Sequence, residues 1–129
     1  MKEHELVAAV RRTTDVSDQQ HAEKAVRATL KVLGRRLAGG EPGELAAQLP
    51  PGLAAVLPSE GPGERFDVEG FYQRVAEEEG TDPARARQHA RAVAAALKNA
   101  ITPGELNDVR AQLPEDYAED LFALSGPVH

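Results

Sequence analysis

The chain contains no cysteine and no tryptophan, and only 4% of its 129 residues are aromatic. Without cysteine, disulfides and thiolate-bound metals are excluded, and nothing ties the chain to an oxidising compartment. No apolar run approaches the roughly 20 residues that a membrane-spanning helix requires. The opening residues, MKEHELVAAVRR, place acids among the apolar positions and lack the continuous apolar stretch of a secretory signal. The expectation is a soluble, cytoplasmic protein without membrane contact.

Chemistry is sparse as well. The three serines are Ser17, Ser59 and Ser125, and none sits in a strand-turn-helix nucleophile elbow. The glycine-rich stretches GGEPGE and EGPGE lack the lysine and Ser/Thr of a phosphate-binding loop. There is no HExxH and no Glu-x-x-His pair of the kind that di-iron bundles use. No catalytic residue, cofactor or metal site is therefore expected.

What the chain does contain is a repeat. Residues 17–57 laid over 81–121, at a constant offset of 64, share thirteen identities in forty-one positions. Among them are Asp18/Asp82, Arg27/Arg91, Gly40-Glu41/Gly104-Glu105 and the run AQLP, at 47–50 and again at 111–114. Gap-free identity of this density marks an internal duplication. Upstream, Leu6 and Val10 answer Phe71 and Val75 after a one-residue shift.

Each unit reads as helical, and no segment shows the period-two alternation of a strand. Ser17 and Gln20 match a capping box and start a long helix with the apolar face Ala22, Val26, Leu30, Leu33 and Leu37. In the second unit Asp82 caps, Pro83 suits the first turn, and the face is Ala86, Ala90, Ala94, Leu97 and Ile101. Glycine-bearing segments end both helices, and short helices follow near 42–48 and 104–112. AQLP closes each short helix. Proline disfavours helical geometry in Leu49 and Leu113, which turn inward, and then opens a last helix. PSEGPGER, residues 58–65, reads as an exposed linker.

The fold class expected is all-α: one domain over residues 1–129, made of two pseudo-symmetric repeats of about four helices each. Repeat one covers about 5–57 and repeat two about 66–124. Neither unit buries its apolar stripe alone, so the two pack face to face.

Charge is unevenly placed. Residues 1–62 are neutral, with eight basic and eight acidic residues, and 63–129 carry the whole net charge of −6. An acidic half disfavours a nucleic-acid binder. Lys24, Arg27, Lys31 and Arg35 form one basic stripe at spacings of three, four and four, opposite the apolar face. It would serve as a docking strip, and it lacks the interleaved aromatics of single-strand binders. The acidic groups Glu77-Glu78-Glu79 and Glu115-Asp116-Glu119-Asp120 read as solvated faces, the second group favoured by a helix N-terminus.

RATLKVLGRRLAGGE, LAAQLP, RVAEEEG and HARAVAAALKNAITPGELNDVRAQLPEDY carry a resemblance to a bacterial family catalogued as domain of unknown function 2267. It spans about residues 5–124. The resemblance implies an all-helical, internally duplicated chain and brings no activity, cofactor or binding residue with it.

Two functions from different classes fit. The first is a non-catalytic interaction module that binds a protein partner or another copy of itself. The second is a small-ligand binder or enzyme with a pocket between the repeats, lined by Gln48, His89, Gln112 and Tyr117.

Overall fold

The computed structural model describes residues 1–14, 16 and 18–122. Helices dominate: α1 (Glu3–Thr13), α2 (Gln19–Arg36), α3 (Glu41–Ala47), α4 (Pro51–Ala54), α5 (Val68–Glu79), α6 (Pro83–Ala100) and α7 (Pro103–Ala111). A π-helical turn, Tyr117–Leu121, ends the described chain.

The helix starts follow local chemistry. Ser17, the expected cap of α2, lies outside the described residues. Asp18 caps the helix, its side chain accepting the Gln20 amide at 2.9 Å. Asp82 caps α6 by accepting from the Arg85 amide, with Pro83 in the first turn, as expected. Thr102 caps α7, and Asp67 caps α5. Gly80 ends α5 with φ of 77°, the left-handed conformation that favours glycine. After Pro50 the last helix of the first half is a single turn. In the second half the Phe122 amide reaches the Tyr117 carbonyl at 3.0 Å, a five-residue step, and Tyr117, Leu121 and Phe122 are all buried. Leu49 is buried at its corner and Leu113 half-buried.

One expectation is corrected. The described residues include a strand pair, β1 (Ala38–Gly39) and β2 (Gly61–Pro62), running antiparallel with Ala38 opposite Pro62. Two residues are too few to show alternation. What permits the pairing is the missing side chain of Gly61, since a Cβ there would lie 2.0 Å from the Leu37 carbonyl oxygen. Residues 58–65 are mostly exposed but tied down, the Gly63 and Glu64 amides bonding the Leu37 and Arg35 carbonyls.

The tertiary arrangement is a helical bundle. α2 and α6 pack on each other, and α1 and α5 each lie against both. One continuous apolar cluster joins Leu6, Val10, Val26, Leu30 and Leu33 to Phe71, Val75, Ala90, Val93 and Leu97. The small residues of α6 let neighbouring backbones come close. Each fully buried Leu, Val or Phe contributes about 1.5–3 kcal/mol relative to exposure. Phe71 stands edge-on to Tyr72 and to Tyr117, with ring centroids 6.1 and 5.7 Å away. At one end of the bundle α3 packs against α7. Among the described residues no helix is long and apolar enough to cross a membrane.

Candidate functional site

Three of the places where polar groups meet among the described residues bear on the expected sites, and the first and third adjoin each other along α2 and α5.

The first is the outward ridge of α2. Because this helix is surrounded by α1, α5 and α6, its exposed side narrows to a line through Gln20, Lys24, Arg27, Lys31 and Arg35. The expected basic stripe is that line. Its charges are mostly answered from neighbouring helices. Arg27 donates to Glu3 of α1 at 2.8 Å and to the Gly52 carbonyl at 2.9 Å. Lys31 and Arg35 both reach Glu78 of α5, at 3.1 and 2.7 Å. The Arg35 and Lys31 hydrogen bonds hold the Glu78 carboxyl below the usual carboxylate range, against the opposing pull of burial. Lys24 is exposed and forms no ion pair among the described residues. A shallow concavity of about 380 Å³ runs along the ridge, bordered by Lys24, Arg27, Lys31, Glu23 and Glu78.

The second place is the end where α3 meets α7. Gln48 accepts from the Thr102 amide at 2.8 Å, at the start of α7. Gln112 accepts from the Ala38 amide at 2.8 Å and donates to the Ala38 carbonyl at 3.4 Å. Thr102 is 64 positions beyond Ala38, and Gln112 is 64 beyond Gln48, so the repeated glutamine makes the same bond in both directions. Glu41 and Glu105, the repeated acids, are buried against each other. Burial first, and the Glu105 hydrogen bond second, raise the Glu41 carboxyl to about 7. Glu44 is raised too, chiefly through its hydrogen bond to Glu41. Oxygens of Glu41, Glu105 and Asp108 lie within 4.8 Å of one another, close enough to share a hard cation.

The third place is a triad of side chains from three helices. His89 of α6 sets Nδ1 2.5 Å from Glu79 Oε1, and His21 of α2 sets Nε2 3.2 Å from the same oxygen. Glu79 and His89 are buried, and the His21 side chain is 38% exposed. The imidazoles stand edge to face, 5.7 Å apart.

Tyr117 belongs to none of these. Its hydroxyl donates to the Phe66 carbonyl at 2.6 Å, and Arg36 lies over its ring. Burial pushes the phenol up to about 12, with Arg36 opposing. The four residues expected to line one pocket thus occupy three separate regions, with Gln48 and Gln112 at the α3–α7 end. The acidic clusters are dispersed too. Asp116 accepts from the Val68 amide, and Asp120 pairs with Arg87.

Sequence reasoning missed Glu79, His21, Glu41 and Glu105 as members of polar clusters. A signal was present for one of the buried ones: Glu79 falls four residues after Val75 and three after Ala76 on the apolar face of α5.

The chain belongs to the domain-of-unknown-function family 2267, described as an uncharacterized conserved protein, whose model matches residues 3–119. No curated protein matches it.

Proposed function

We propose that the chain is a non-catalytic helical interaction module, built from two pseudo-symmetric repeats, that docks an acidic surface of a protein partner along the ridge of α2. The observation that carries this reading is the concavity beside Lys24, an exposed cation without an ion-pair partner among the described residues. Of the large apolar side chains described, Met1 alone is exposed. Such a surface gains little from apolar burial, so recognition rests on charge and weakens with salt. With three of the four cations already holding carboxylates or carbonyls, too few charges remain for the multiple phosphate contacts that nucleic acid needs, whereas a single acidic side chain needs only Lys24. The lack of cysteine fits a cytoplasmic setting.

The duplicated architecture is supported by the reciprocal Gln48–Thr102 and Gln112–Ala38 bonds and by the meeting of Glu41 with Glu105. Each half then supplies the clamp for the other.

A second copy of the chain has suitable chemistry in its acidic half, residues 63–129. Sedimentation velocity at low and high salt tests this form: a dimer at low salt that dissociates at high salt, and is absent in Lys24→Glu, identifies the partner as a second copy. A monomer throughout shifts the test to in-cell proximity labelling with wild type and Lys24→Glu/Lys31→Glu as baits. Identical partner sets from both baits count against the ridge.

A further inference from the structure

We infer that His21, Glu79 and His89 form a binding site for one borderline divalent transition-metal ion, of the class of Zn²⁺ or Co²⁺. Three lines of structure lead there, and none depends on the docking role of the α2 ridge.

The donor set comes first. Two imidazole nitrogens and a carboxylate oxygen are the ligands that such ions take when no thiolate is present. One ligand atom from each residue lies within 4.8 Å of the other two. The spacing of His21 Nε2 from Glu79 Oε1, 3.2 Å, is close to the separation that two ligands of a tetrahedral ion bound at about 2.0–2.1 Å would have. His89 Nδ1 also lies within hydrogen-bond reach of that oxygen, at 2.5 Å.

The second line is an oxygen with nothing to bond. Glu79 is 3% exposed, and its Oε2 is buried without a hydrogen-bond partner among the described residues. A buried carboxylate oxygen left unsatisfied is costly, so it calls for a reason. It gives the carboxylate a second oxygen with which to meet an ion.

The third is access. The ligands come from α2, α5 and α6, the packed centre of the bundle, which fixes Glu79 and His89. His21 sits at the rim with more than a third of its side chain exposed, giving an ion a way in. Three protein ligands leave coordination positions open to water or to another molecule's side chain.

A purely structural role, in which the histidines only neutralise a buried acid, predicts no metal affinity. Calorimetric titration of the metal-free full-length protein with Zn²⁺, and absorption titration with Co²⁺, separate the two. The expected result is one ion per chain and ligand-field bands for Co²⁺ of low coordination number. His21→Ala, at the rim, should weaken Zn²⁺ binding at least about tenfold with unaltered melting in chelator. Glu79→Gln keeps the shape and should lose binding as well, while His4→Ala should change nothing. Absence of saturable 1:1 binding overturns the inference, as does a His21→Ala protein that binds as wild type does.

Discussion

Glu79 and Glu41 are both buried carboxyl groups in helical segments, and the protein accommodates them in opposite ways. Glu79 lies between two imidazole nitrogens supplied by α2 and α6. Glu41 lies against another carboxyl, Glu105, and its acidity falls until it titrates at about 7. Removing an acid from water disfavours its charged form, and two remedies exist. Either donors or cations answer the charge, or the group keeps its proton. The first makes a site that a metal ion can take over. The second makes a junction whose cohesion depends on a proton.

The sharpest way to break this contrast is to delete each acid. Glu79→Ala should destabilise the fold by about 3 kcal/mol in chemical denaturation, because it removes the buried acid that His89 and His21 hydrogen-bond and opens a void. A loss below about 1 kcal/mol would mean that His89 needs no acid. The pH profile separates the pair next. The Glu41 carboxyl is raised from 4.5 to about 7 on folding, so the folded state holds the proton more tightly. Its contribution is fully present below about 4.5 and is lost as pH rises through about 7. Glu41→Gln should therefore gain stability relative to wild type between pH 5 and pH 8, on the order of 2 kcal/mol. Parallel melting curves for the two proteins across that range would refute a shared proton at the junction.

Smaller effects probe the surroundings. Gln48→Ala and Gln112→Ala should each cost about 0.5–1 kcal/mol, the worth of a partly exposed hydrogen bond. Equal losses sharpen the case for two equivalent clamps, and clearly unequal ones weaken it. Lys24→Glu should stay within about 0.5 kcal/mol of wild type in thermal unfolding, since the side chain is exposed and forms no ion pair among the described residues. A larger loss would give Lys24 a structural duty in place of a binding one.

Much of the framework is legible in the residue order. The apolar spacing of Ala22, Val26, Leu30 and Leu33 sets the face of α2, Asp82-Pro83 starts α6, and AQLP turns a corner at both of its occurrences. Those features act over one or two helical turns, and local sterics and backbone hydrogen bonds decide them. The run Glu77-Glu78-Glu79 shows where such reading ends. It looks like one solvated patch, yet each step turns the helix by about 100°. Glu77 faces water, Glu78 meets Lys31 and Arg35, and Glu79 enters the core beside His89.

The sequence by itself determined the long helices, the Asp82 cap, the two AQLP corners and the narrow basic line on α2, because each depends on neighbours within a few residues. Only the tertiary structure decided what those groups meet. His21 and Glu79 are 58 positions apart, and Gln48 and Thr102 are 54 apart. Packing α2 against α5 and α6, and α3 against α7, brings these partners within hydrogen-bond reach. Spacing along a chain carries no record of which faces two helices turn toward each other. That is fixed by the burial of apolar area across the whole bundle, and the polar clusters form where that burial leaves them.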